Sequence, residues 1–189
     1  MRRRVVAAGL ALVGLLLTAF TATGCDQEAA AGTNGRQPAA TAGRACQLIE
    51  YDIVSGALGT QFDTAGGAQQ GDTYSCVLGM QGHPYPDLTF AMSPTTVSPL
   101  LYSVSIAPAG STAVDQLGVS AYQLIVPPGT AADGTASGQG LELGWLSARQ
   151  VMLLLRYTFP ADASQPEIEK IATGLIGLAK QIDEALSKL

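Results

Sequence analysis

The hydrophobic pattern changes character along the chain. From Val5 to Phe20 apolar positions run on for 16 residues behind Arg2, Arg3 and Arg4. From Asp26 to Arg44 no large apolar residue occurs. Beyond Cys46 the apolar positions return, first at helical spacing, then in strand-like runs, and finally at helical spacing again.

Leu48, Ile49, Ile53, Val54, Ala57 and Leu58 form a helical stripe with Gly59 as its stop, so a short helix is expected over about Tyr51–Leu58. The Gly- and Gln-rich stretch 63–72 reads as a loop. Six strand-like runs follow, at 73–78, 87–92, 101–106, 122–126, 141–146 and 151–159. The second alternates cleanly, with Leu88, Phe90 and Met92 on one face; in the third, Tyr102, Val104 and Ile106 share a face. Gly and Pro mark 81–86 as a turn and 127–140 as a long loop. The last two runs flank Ser147-Ala148-Arg149-Gln150, which predicts a hairpin. Ile168, Ile171, Ala172, Leu175, Leu178, Ala179, Ile182 and Leu186 then make one stripe of a long closing helix. Ser164 and Glu167 have the spacing of a capping box, and Pro166 sits in the first turn. Gly174 and Gly177 weaken that helix, and close approach to the sheet is the expected reason. Short connections favour antiparallel pairing. The expected fold is α+β, a mainly antiparallel sheet of about 5–6 strands packed with a short N-terminal and a long C-terminal helix.

The first 25 residues carry the address. A basic segment, an apolar run and a small-residue approach, Thr21-Ala22-Thr23-Gly24, read as a secretory signal peptide over 1–24. The apolar run is short for a membrane span, which needs about 20 residues. Ala22-Thr23-Gly24-Cys25 resembles a bacterial lipobox, with Ala22 where Leu is usual. The expected chemistry is diacylglyceryl transfer to the Cys25 thiol and cleavage before it. Two or three acyl chains then hold the protein at the extracytoplasmic face of the cell membrane. The alternative is an ordinary cleaved signal with a free cysteine. Residues 25–45 read as the lipidated N-terminus and a disordered linker with a reach of about 25 Å. Residues 46–189 are expected to form a single domain.

Charge and cysteine usage sharpen this picture. The whole chain carries a formal charge of −5, and removal of the three leading arginines leaves seven basic residues against fifteen acidic ones, or −8. Such a chain is repelled by nucleic-acid phosphate, so no nucleic-acid partner is expected. With Cys25 assigned to lipid, Cys46 and Cys76 remain as a pair in an oxidising compartment, where a disulfide is expected. Its loop would contribute about 3–4 kcal/mol. The alternative is two buried free thiols. His83 is the only histidine, so neither a metal site nor any other cofactor is expected.

The segment Cys46 to Gly59, with Leu48-Ile49, an acidic helix and Ala57-Leu58-Gly59, resembles the opening of a family of actinobacterial lipoproteins known as domain of unknown function 3558. Cys76 in the first strand, Leu117-Gly118-x-x-Ala121-Tyr122 and the closing helix resemble the same family, over about 46–185. Ala45, Glu50 and Val77-Leu78 depart from its usual residues. The resemblance implies a cell-envelope lipoprotein and no activity or catalytic residue.

Candidate chemistry is sparse. His83 lies in a Gly-Pro-rich turn, and no nucleophile elbow or phosphate loop follows a strand. Asp63, Asp72, Asp87, Asp115 and Glu142 are scattered carboxylates from which a glycosidase-like pair would have to be drawn. Trp145, Tyr74, Tyr85 and Tyr102 read as core residues before ligand platforms. No catalytic residue is assigned. The expected protein is a non-enzymatic envelope lipoprotein, a binding or accessory module whose partners are membrane lipid through Cys25 and an envelope protein or small apolar ligand. The alternative is an envelope hydrolase using paired carboxylates.

Overall fold

The computed structural model describes residues 37–131 and 134–188. The expected signal peptide, Cys25 and residues 26–36 of the expected linker lie outside the described residues. Two 3-10 turns, Ala39–Ala42 and Arg44–Leu48, lead into helix α1, Tyr51–Leu58. Strands β1 (Thr64–Gln70), β2 (Thr73–Met80) and β3 (His83–Pro94) follow as a meander. A short helix α2, Pro99–Leu101, continues into a π-helical turn, Tyr102–Ile106; together they are the cover segment. Strands β4 (Thr112–Ala113), β5 (Ser120–Val126), β6 (Ser137–Leu146) and β7 (Val151–Pro160) precede the long helix α3, Gln165–Ser187.

All neighbouring strands pair antiparallel in one sheet of seven, in the order β1-β2-β3-β7-β6-β5-β4. The class is the expected α+β, with seven strands in place of five or six. Two strands are additional. β1 has no large apolar side chain and is almost wholly exposed; its pairing with β2 is made by backbone, which composition does not reveal. β4 is only two residues long. One expected strand is lost, because 101–106 is helical. β3 lies mid-sheet and β4 at the far edge, so the chain between them must cross β7, β6 and β5. Three to four strand spacings amount to about 17 Å. The cover segment makes that crossing over one face, with Ser98 Oγ accepting the Leu101 N–H at its start.

Alternation divides the sheet into two faces. Leu88 and Phe90 of β3, Leu153, Leu155 and Tyr157 of β7, and Leu143 and Trp145 of β6 face the helices and make the main core. Trp145 is fully buried there, as expected, and its indole N–H donates to Asp183 of α3 at 3.1 Å. The buried stripe of α3 is Ile171, Leu175, Leu178, Ala179, Ile182 and Leu186. Gly59 ends α1 in the left-handed conformation at φ 75°.

Several local expectations are corrected. Ser164 makes no side-chain cap; its carbonyl accepts from Ile168 instead, so no capping box forms. Gly174 serves close packing, but against α1 and not the sheet: a methyl there would meet the Ala57 carbonyl oxygen. Gly177 faces open space. Ile53 of the expected apolar stripe is 43% exposed. The turn after β2 is confined to 81–82, because the backbone pairing of β3 begins at His83 and absorbs the prolines. The loop expected over 127–140 gives up 137–140 to β6. The stretch 39–45, placed in the linker by composition, is packed. Ala39 and Ala45 are buried, and the Glu50 carboxylate accepts the N–H groups of Ala39 and Ala40 at 3.0 and 2.7 Å. Alanines are small enough to pack there, and a carboxylate eleven residues away supplies the missing acceptor.

Candidate functional site

The disulfide expected from the cysteine count is present: Cys46 and Cys76 are bonded, and both are buried. It ties the second 3-10 turn to β2 and is structural. The remaining expected chemistry is dispersed. His83 is exposed at the start of β3. Asp72 and Asp115 are exposed, and Asp63 accepts the Gln81 N–H at 2.7 Å. Tyr74 is half-buried with the Arg44 guanidinium 5.7 Å from its ring centre, and Tyr85 is half-buried in β3. Among the described residues no three His, Cys, Asp or Glu side chains converge as a metal site.

The face of the sheet away from the helices holds a second core and an apolar groove. There the cover segment lies over a second, smaller core made by Tyr102, Tyr122 and Leu146, with Val97, Leu124 and Met152 packed against it. The phenol rings of Tyr102 and Tyr122 are 6.2 Å apart between centres. Beside them runs a groove of about 240 Å³. Ala91, Met152 and Leu154 form its floor, Tyr102, Ile106 and Tyr122 one wall, and Thr73 and Ser93 its polar end. The top of the cover segment is also apolar and unpacked, with Leu100 73% and Val104 68% exposed.

Register explains how the groove is built. Tyr122 of β5 stands opposite Gly144 of β6, and a side chain at Gly144 would occupy the space of the Tyr122 ring. The ring therefore lies flat across β6, and its hydroxyl donates to Glu142 at 2.9 Å. Glu142 stands opposite Arg156 of β7, which stands opposite Thr89 of β3. One step further along, Asp87 faces Thr158, whose hydroxyl donates to it at 3.3 Å. The Nε of Arg156 is buried and has no hydrogen-bond partner.

Burial and the Glu142 charge drive both phenols, Tyr102 and Tyr122, well above the ordinary tyrosine range. They are neutral hydroxyl donors at physiological pH. Burial also raises the Asp87 carboxyl, against the hydrogen bond from Thr158 and the positive charge of Arg156. Of the five scattered carboxylates, Asp87 and Glu142 share this face. Strand spacing and register put their backbones about 12 Å apart, with the strand of Arg156 between.

No family model matches the chain, and neither a curated protein nor a solved structure matches it. The geometry of this face therefore carries the functional argument.

Two features of the site escaped the sequence. The facing of Glu142 and Arg156 was one residue out of reach, since a hairpin centred on 147–150 would pair position 142 with 155, whereas the strands pair 142 with 156. Tyr122 and Gly144 needed the register of β5, which follows a loop whose length does not determine it.

Proposed function

We propose that the protein is a cell-envelope lipoprotein, held at the extracytoplasmic face of the membrane through acylated Cys25, and that its domain is a non-catalytic binding module. The observation that carries the binding reading is the apolar groove between the cover segment and the open face of the sheet. It has the features of a small-ligand site: concave, mostly apolar, with a few polar groups at its ends. At about 240 Å³ it suits a small ligand better than a protein side. The anchor reading is supported by the basic and apolar N-terminal segments, the small residues before Cys25, and the resemblance to the lipoprotein family.

A second reading, hydrolysis by a carboxylate pair, has one favouring observation, the shared face of Asp87 and Glu142. Catalytic carboxyl pairs in glycosidases stand about 5–9.5 Å apart. The intervening arginine weighs against it.

Two experiments test the proposal. The intact mass of protein extracted from membranes should match a chain beginning at Cys25 plus acyl groups; an unacylated chain overturns the anchor. Titration with toluene, followed by the methyl resonances of Ile106 and Met152, should saturate, and Ala91→Trp should abolish it by filling the groove. Unchanged methyl resonances in the native protein overturn the groove as a binding site.

A further inference from the structure

Apolar side chains left in water are not spread evenly over the domain. Among the described residues eight large ones are exposed, and four of these, Leu100, Leu101, Val104 and Ile106, fall within seven consecutive positions of the cover segment. The other four stand singly on α1, β2, β5 and the loop before β5. Single exposed apolar residues are ordinary, whereas a contiguous patch marks contact with another apolar phase.

Helical spacing makes the patch. Tyr102 points into the second core and is 2% exposed. Leu100 and Val104 lie two residues to either side of it, about 200° round the helix, so both stand on the outer face, one turn apart. Burying the Tyr102 ring therefore lifts these two side chains off the surface. Leu101 flanks them, and Ile106 descends to the groove wall. Charge is absent from the whole stretch: between Asp87 and Asp115 the sequence holds no Asp, Glu, Lys or Arg.

Resting on the reading of Cys25 as an acyl anchor, we propose that the outer face of the cover segment is a second membrane contact. Leu100, Leu101 and Val104 enter the boundary between headgroups and acyl chains of the bilayer that holds the anchor, and so turn the groove-bearing face of the domain toward the membrane.

The composition of this face suits a bilayer better than a protein. Protein interfaces draw most of their affinity from Trp, Tyr and Arg, with Leu, Val and Ser under-represented. The cover segment presents leucine, valine and serine outward, and no charge that would fix the orientation of a protein partner. An apolar phase without shape needs neither, and an uncharged segment enters it without the cost of burying an ion.

The chain leading to the domain points the same way. Gln37, the first described residue, is twelve residues beyond Cys25. The composition of that stretch predicts a linker with a reach of about 20 Å, and about 40 Å at full extension. That is the scale of the domain itself. Such a tether keeps every face of the domain within reach of the bilayer and selects none. Selection falls to the surface. The chain from Cys25 onward carries −8, which gives no attraction to anionic headgroups. The apolar apex is left to orient the domain, at the effective concentration, on the order of millimolar, that a short tether supplies.

The test uses the chain beginning at Cys25, coupled through that thiol to a maleimide lipid in phosphatidylcholine vesicles. Cys46 and Cys76 are bonded to each other, which leaves Cys25 as the reactive thiol. The tether is then present whether or not the cell acylates Cys25, which the intact mass measures separately. Val104→Trp puts an indole at the apex, and Lys180→Trp puts one on the exposed side of α3. Trp145 is fully buried and common to both variants. With phosphatidylcholine brominated on its upper acyl carbons, Val104→Trp should lose most of the emission of its added indole, and Lys180→Trp none. Leu100→Asp combined with Val104→Trp should abolish that loss. Equal loss from both reporters, no loss from either, or a loss that survives Leu100→Asp overturns the membrane contact and leaves the anchor reading in place. An unacylated chain from cells overturns the anchor, and the proposal with it. Should Val104→Trp not fold, Leu100→Trp with and without Val104→Asp reads the same face.

Discussion

The hydroxyl of Tyr122 reaches Glu142 at 2.9 Å only because Gly144 has no side chain. Tyr122 lies opposite Gly144, and Glu142 lies two residues away along β6, so the bond is diagonal and the ring must lie over the glycine. A single absent side chain thus sets the position of the Tyr122 ring, a wall of the groove, and the hydrogen bond that holds it.

Gly144→Ala should therefore destabilise the domain by about 1–3 kcal/mol, the range of overpacking in a well-packed core. Tyr122→Phe, which keeps the ring and removes the hydroxyl, should cost about 1.5 kcal/mol. Urea unfolding of the two variants checks both figures. If Gly144→Ala were neutral, the ring would not be held against that backbone.

Stability should fall as pH rises above about 10, the ordinary phenol value. The folded state keeps Tyr102 and Tyr122 protonated above that pH, whereas the unfolded chain releases both protons. The unfolded state then binds fewer protons, and alkali favours it. The contribution of these two groups is fully present below pH 10 and is lost as pH climbs toward their folded values. Melting temperatures between pH 8 and 11 should decline less in Tyr102→Phe,Tyr122→Phe than in the native chain.

Reduction should matter as much as any core substitution. The Cys46–Cys76 bridge spans 30 residues, and the corresponding loop-closure entropy is about 3–4 kcal/mol. Denaturant unfolding with and without reductant should differ by that amount, and Cys46→Ser,Cys76→Ser should behave as the reduced protein does. A difference below about 1 kcal/mol would show that the 3-10 turns hold the N-terminal segment without the bond.

The two glycines of α3 should respond in opposite directions. Gly177→Ala should stabilise the domain by about 1 kcal/mol, since the added methyl meets nothing and the helix gains the better former. Gly174→Ala should destabilise it, because the methyl collides with the Ala57 carbonyl and pushes α1 from α3. Thermal denaturation of the two single variants separates the effects.

Periodicity alone was enough for α1, α3, the core face of β3 and the β6–β7 hairpin. In each of these the apolar spacing repeats over enough residues to specify a face; in α3 six of the eight expected stripe residues are buried, and Ile168 and Ala172 are half-buried at its margin. The cysteine count was likewise enough for the disulfide, since one thiol was set aside and two remained. Tertiary structure decided what has no periodic signal of its own. β1 is a strand because β2 offers a backbone edge, although its side chains bury almost nothing. The stretch 101–106 has strand-like alternation, yet it is helical because the chain there must cross the sheet on its way from β3 to β4. The alanines at 39–45 pack because Glu50 accepts the amide hydrogens they leave free. The groove depends on register between strands distant in sequence, and register is a property of paired strands that no single segment encodes.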